Sequence, residues 1–256
     1  MSRKQARGAR ARRGRAPGVL PTPAAPMVQS VPKVGWRLSL SDGAVEALKW
    51  LGLVLMTLDH VNKYLLQGQV AWMFAAGRVV MPLFSVVLAW NLARPASLAS
   101  AGQVAWRTAR RLAVFGLIAT PVSWALIGPW PLNILFMLAC AAGAIALLQR
   151  GRPLRALAVG LVGGFLVEFW WPAIGMTVAG WCFLRQPSWR AGLGWCTGMV
   201  LVGLINGSQW GWACLPLVGL TGWLGSRLVL LRAKWWFYAY YPVHLAGLWV
   251  WRVVLY

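Results

Sequence analysis

From residue 43 onward hydrophobic runs recur along nearly the whole length of the chain. A helix that crosses a bilayer needs roughly 20 mostly apolar residues. A chain of 256 residues holds many such helices and leaves no stretch between them for a water-soluble domain. Hydrophobic residues make up 59% of the sequence, which fits a chain dissolved in lipid rather than in water. The expected fold is all-α: a polytopic transmembrane bundle of about nine spans. They fall approximately at 44–66, 70–93, 108–128, 132–149, 154–171, 172–185, 191–206, 210–228 and 236–255. The stretch "EFWWPAIGM" marks the fifth and sixth as a broken or re-entrant pair.

Charge sets the orientation. The formal charge is +21, and Arg3, Lys4, Arg7, Arg10, Arg12, Arg13, Arg15, Lys33 and Arg37 all precede the first span. Residues 1–42 read as a disordered Arg/Pro-rich cytoplasmic tail, since "APGVLPTPAAP" has too few large apolar groups to fold alone. No apolar core directly follows the basic run, so it is not a secretory signal. The tail fits contact with anionic lipids. Nucleic acid is not expected as a partner, because neither a folded motif nor interleaved aromatics accompany the charge. With the tail inside, "RPASLASAGQVAWRTARR", "QRGRPLR", "RQPSWR" and "RLVLLRAK" fall on the cytoplasmic side, and "QGQ", "GPWP", "WWP" and "NGSQW" on the other. Every strongly cationic loop lies on one face, as the positive-inside rule requires of a bacterial inner-membrane protein. The carboxyl end of an odd number of spans then lies outside. Trp36, Trp50, Trp130, Trp171, Trp210, Trp212, Trp235 and Trp236 lie near predicted boundaries, where indole rings anchor helices. Gly160/Gly164, Gly194/Gly198 and Gly203/Gly207 have the spacing of close helix packing. Cys140, Cys182, Cys196 and Cys214 lie in apolar runs without metal-site or disulfide spacing, which points to packing.

Against this background a few polar residues are out of place. The chain has four acidic residues, Asp42, Glu46, Asp59 and Glu168, and two histidines, His60 and His244. An ionisable group at membrane depth costs roughly 2.5–3.5 kcal/mol on insertion scales, so it is paired, buried in the bundle or functional. Asp59 and His60 lie in the outer half of the first span, Arg78 in the outer half of the second, and Asn133 near the outer end of the fourth. At about 1.5 Å per residue, His60 lies roughly 24 Å from the inner end of its helix, and Arg78 about 12 Å from the outer end of the next. Antiparallel neighbours therefore bring them to similar depth. Arg78 beside Asp59 would hold the carboxylate ionised, leaving His60 to face a substrate as a neutral base. Lys63 is an alternative partner for Asp59 at i,i+4, or reaches the outer interface. His244 counts out at roughly 12 Å into the last span, level with His60 only if that helix tilts or kinks at Pro242. Glu168, beside "FWWP", reads as a solvated interfacial carboxylate. A buried Asp–Arg pair can also be purely structural.

The segments "LKWLGLVLMTLDHVNKYL", "GRVVMPLFSVVLAWNLAR", "RLAVFGLIATPVS", "LNILFMLACAAG" and "KWWFYAYYPVHL" occur in an order that resembles the TraX family. These are conjugal-transfer membrane proteins associated with N-terminal acetylation of pilin. The resemblance runs from Leu48 to Leu245 and is weakest between about 150 and 230. It implies an acyltransferase with acetyl-CoA as acyl donor and a pilin or other small membrane peptide as amine acceptor. The family's positions carry over to Asp59, His60, Gly77, Arg78, Pro82, Phe84, Asn133, Tyr241, Pro242 and His244. The Arg-rich head and the Trp-rich body depart from the family's pattern.

Acyl transfer to an amine needs a base and a stabiliser for the tetrahedral oxyanion. On this reading His60 is the base, Asp59 steadies it, and Arg78 or Asn133 orients Asp59 or donates to the thioester oxygen. His244 lines the thioester path. Arg107, Arg110 and Arg111, with Arg227, Arg232 and Lys234, gather the phosphates of acetyl-CoA. Asn133 and Tyr241 complete the donor-binding set. Two other classes share the same features: a proton-coupled transporter, because intramembrane Asp, His and Arg also build proton relays, and a non-catalytic assembly subunit of a secretion apparatus.

Overall fold

The computed structural model of the protein describes residues 40–94, 98–225 and 234–255. The expected basic tail lies outside them. Among the described residues there are nine α-helices and one short 3-10 turn, following the predicted segments in order. They are α1 (Asp42–Tyr64), α2 (Ala71–Ala93), α3 (Leu98–Leu126), α4 (Ile134–Gln149), α5 (Pro153–Leu166), α6 (Trp170–Arg185), α7 (Trp189–Ile205), α8 (Cys214–Leu224) and α9 (Lys234–Leu255). One of them, α2, is long and apolar enough by itself to cross a membrane. α4 to α7 have 14 to 17 residues, short of the roughly 20 of an upright crossing. α1 and α3 have the length but carry charges, and α9 is diluted by rings with polar edges.

Local signals set the helix ends. The Ser41 hydroxyl accepts from the Ala44 N–H and donates to the Gly225 carbonyl, capping α1 and fastening the end of α8 to it. Asp42 in the first turn of α1 and Lys63 in the last oppose the helix dipole. Pro153 opens α5, where its missing N–H costs nothing.

α2 lies at the centre, against α1, α4, α6 and the 3-10 turn (Trp210–Ala213). α4 is apolar on every side, as a helix buried all round must be; Met137, Ala141, Ala142, Ile145 and Ala146 are fully enclosed. α6 and α7 meet where a Cβ on Gly198 would come within 2.6 Å of Met176 Cβ, which explains that glycine. All four cysteines are free, and Cys196 is exposed rather than packed. Large apolar side chains such as Leu117, Leu154, Val162, Trp189, Leu204 and Trp223 point outward. Trp130, Trp171, Trp210, Trp235 and Trp236 are exposed as expected of boundary residues, whereas Trp50 packs edge-on against Phe237.

Three connections depart from expectation. α3 begins at Leu98 rather than near 108, so most of the expected cytoplasmic loop "RPASLASAGQVAWRTARR" is helical. The eighth segment starts later than residue 210: α8 begins at Cys214, after the 3-10 turn. The connection before it does not pass beyond the end of α2. A Cβ on Gly211 would lie 3.1 Å from Pro82 Cγ and 3.4 Å from the Arg78 carbonyl, so this loop packs against the middle of α2. Between α5 and α6 the break falls at Val167–Phe169, where Leu132 and Val167 form an isolated parallel bridge. The Leu132 N–H donates to Leu166 and the Glu168 N–H to Leu132.

Candidate active site

One face of α1 carries Glu46, Lys49, Leu53, Met56, Asp59, His60 and Lys63, and every one of them lines one partly open cavity of about 780 Å³. From Glu46 to Lys63 this face spans about 26 Å at 1.5 Å per residue, so the cavity follows nearly the whole helix. Its walls change along the way. At the start of α1 they are polar, with Lys49, Asn91, Thr108 and Arg111. The middle is a belt of Leu53, Met56, Met81, Phe84, Leu88 and Leu112. The far end is polar again, with Asp59, His60, Lys63, Arg78, Glu168 and Asn206.

At the far end Asp59 and Arg78 meet across α1 and α2. Arg78 Nη2 donates to Asp59 Oδ1 at 2.9 Å, and Arg78 Nη1 donates to Asn206 Oδ1 at 3.1 Å. The guanidinium lies over the Phe74 ring, 4.4 Å from its centroid. Asp59 is thus engaged by Arg78, and not by Lys63, whose ammonium sits over Tyr64. The close approach of the two helices depends on Gly77: a Cβ there would stand 2.0 Å from Asp59 Oδ1. Asn206 was not among the expected site residues; it lies in the recessed loop that follows α7, at the depth of Arg78.

His60 and His244 also meet. His60 Nδ1 lies 2.7 Å from His244 Nε2, and the two rings are parallel within 3° with centroids 5.0 Å apart. That separation is what the bond and the two ring radii add up to, so the rings lie end to end in a common plane rather than one above the other. The pairing needs no kink. Trp50 packs on Phe237 and Thr57 Oγ1 is 2.7 Å from the Tyr240 hydroxyl. α9 therefore runs parallel to α1, with its first turn already level with Lys49 and Trp50. Counting His244 from the start of α9 understated its depth by about two turns.

Hydrogen-bond polarity fixes the neutral tautomers. His244 Nδ1 is 2.9 Å from the Tyr240 carbonyl, which can only accept, so this nitrogen carries the proton. Neutral His244 then accepts at Nε2 from His60 Nδ1–H. The lone pair of the couple is left on His60 Nε2. His60 lines the cavity; His244 stands behind it and is not on the wall.

The expected donor-binding residues separate. Tyr241 and Arg111 line the cavity, and Arg111 lies over the Trp235 ring at 5.2 Å. Val104, Thr108, Arg111 and Leu112 form the inward face of α3. Arg107 and Arg110 fall off that face and are exposed. Arg227 and Arg232 lie outside the described residues, and of Lys234 only its place at the start of α9 is described. Asn133 is a correction. It is 2% exposed, its Oδ1 accepts from the Leu135 N–H, and its Nδ2 donates to the Gly116 carbonyl. It caps α4 and ties it to α3, away from the cavity. Glu168 is a second difference: rather than facing solvent at an interface, it lines the far end of the cavity.

These observations define a class: an all-α protein with at least one helix fit to cross a membrane, built around a cavity lined by one member of a histidine couple and by a clamped carboxylate–guanidinium pair. The sequence matches the TraX protein family over residues 44–252, and the chain belongs to that family. It is 46% identical over 66 residues to Protein TraX of Escherichia coli strain K12, covering 25% of this chain and 26% of that one. A second Protein TraX of Escherichia coli is 45% identical over 58 residues, 23% of each chain. The matched stretch thus spans about a quarter of each relative's length. No solved structure matches.

Proposed function

We propose that this TraX-family chain is a multi-pass acetyltransferase of the bacterial inner membrane with a cytoplasmic N-terminus. It moves the acetyl group of acetyl-CoA to the N-terminal amine of a pilin or similar small membrane peptide in conjugative transfer. The observation that carries the reading is the single cavity joining a basic, hydroxyl-bearing inner end to a histidine couple about 20 Å along α1. The outward-facing apolar side chains support a lipid surround, since soluble proteins rarely expose apolar patches of more than a few hundred Å². The basic tail contacts anionic headgroups.

In this mechanism Lys49, Thr108 and Arg111 receive the donor at the cytoplasmic mouth, and its thioester arm extends along the apolar belt. His60 Nε2 takes a proton from the attacking amine and returns it to the departing thiolate. His244 holds the imidazole in the required tautomer and shares the positive charge. Arg78, held by Asp59 and Asn206, supplies the fixed positive charge near the developing oxyanion. Purified protein incubated with labelled acetyl-CoA and an acceptor peptide tests the reading. His60→Ala is expected to lower transfer by about 10²–10⁴-fold with normal membrane insertion. Unaltered transfer by that variant removes His60 as the base. A proton-coupled carrier is the competing reading. It predicts instead pH changes in sealed vesicles, with no labelled product.

A further inference from the structure

We propose that the Glu168 carboxylate is the subsite for the acceptor's ammonium group and takes the first of its two protons. The inference rests on the acetyltransferase reading and adds the group that recognises the acceptor.

Three of the four acidic residues have cationic partners: Asp42 with Arg94, Glu46 with Lys49, and Asp59 with Arg78. Among the described residues Glu168 has no cation within ion-pair distance, yet it faces the same cavity as Asp59, His60, Lys63, Tyr64 and Tyr241. Lys63 and Asp59 are near enough for their charges to act on it, and the Ile134 N–H faces its oxygens. The Lys63 ammonium lies over Tyr64 instead of closing on it. The backbone that carries it is also held firmly. Its own N–H donates to Leu132 at 2.9 Å, and the next two residues, Phe169 and Trp170, both have positive φ, 60° and 52°. A non-glycine residue held there costs on the order of 1–3 kcal/mol, and such strain persists where the surroundings over-determine it. The break between α5 and α6 thus places a carboxyl group, with no cation at ion-pair distance among the described residues, on the wall of the cavity that His60 lines.

The chemistry calls for such a group. A peptide amine in water is an ammonium and must lose two protons to become an amide, whereas His60 Nε2 accepts one. Glu168 pairs with the ammonium and accepts its first proton, giving a neutral amine. That amine attacks the thioester carbon; the C–N bond forms and the C–S bond breaks. The second proton passes through His60 to the thiolate, releasing the thiol. The proton on Glu168 leaves to outer water.

The test compares two acceptors on the full chain in lipid nanodiscs: a peptide with a free α-amine, and the same peptide bearing an N-terminal hydrazide-type nucleophile that is uncharged at neutral pH. The readout is the ratio of kcat/KM for the two. Glu168→Gln is expected to lower the amine-to-hydrazide ratio about tenfold to hundredfold, the worth of one charge-assisted hydrogen bond. It also moves the pH profile for the amine upward, because only amine already neutral in solution then reacts. Glu168→Asp keeps the charge and is expected to keep most of the ratio. An unchanged ratio in Glu168→Gln, parallel loss of both acceptors, or a ratio lost equally in Glu168→Asp overturns the assignment while the acetyltransferase reading stands. A wild type that acetylates neither acceptor overturns both.

Discussion

Gly77→Ala gives a sharp test of how α1 and α2 are joined. The added methyl would lie 2.0 Å from Asp59 Oδ1, 2.2 Å from its Cγ and 2.5 Å from its Cβ. No rotamer of Asp59 relieves the last contact, so either the helices separate or α1 shifts and the carboxylate leaves Arg78. Overpacking of a fitted contact costs about 1–3 kcal/mol. Removing one partner of a buried ion pair costs about 3–5 kcal/mol, less here because both side chains are 17–18% exposed to the cavity and Arg78 keeps Asn206. The two terms overlap, since moving the carboxylate relieves part of the clash. The expected destabilisation is about 2–4 kcal/mol, or on the order of 10 °C in the unfolding midpoint followed by tryptophan fluorescence in mixed micelles. Asp59→Ala would leave its Cβ in contact with the new methyl, so the relieving partner is Asp59→Gly. In the Asp59→Gly background the added methyl is expected to cost less than about 1 kcal/mol, a coupling of at least about 1–2 kcal/mol. If Gly77→Ala is tolerated, or costs the same in both backgrounds, the helices do not meet as described.

Two further substitutions separate structural from chemical roles. Asn133→Ala removes the α4 cap and the bond to Gly116, and is expected to lower stability by about 2 kcal/mol with KM for acetyl-CoA unchanged in the labelled-transfer assay; a rise in KM alone returns Asn133 to the donor site. Leu88→Trp fills the apolar belt and is expected to cut transfer on the order of a hundredfold while the unfolding midpoint holds within a few degrees. Full activity in that variant shows that the acetyl group does not travel along this cavity.

Much of the helix order was legible, because apolar runs broken by basic or glycine-containing loops leave little choice of where helices begin. The pairing of Asp59 with Arg78 was legible too. Adjacent antiparallel helices share a loop, and counting from that loop gives comparable depths. The same counting failed for His244 because α9 does not start in the plane where α1 starts; only packing, such as Phe237 on Trp50, reveals the offset. Asn133 was misassigned although its signal was present: an Asn just before an apolar run is a helix cap first. Glu168 had no such signal, since nothing in "EFWW" announces two left-handed residues in succession. Asn206 was hidden for a similar reason, as a loop written in glycine, serine and glutamine gives no hint that it folds back against the middle of α2.

The apolar belt between the two polar ends carries a consequence for the cell's energy supply. A hole through an energised membrane would let protons in, and each elementary charge crossing 100 mV gives up about 2.3 kcal/mol. Leu53, Met56, Met81, Phe84, Leu88 and Leu112 offer a hydrated ion no oxygen to hold. A neutral thioester arm suffers no such penalty. On the proposed function and topology, this belt of six side chains is an electrical insulator that lets acetyl chemistry reach the outer face without discharging the membrane.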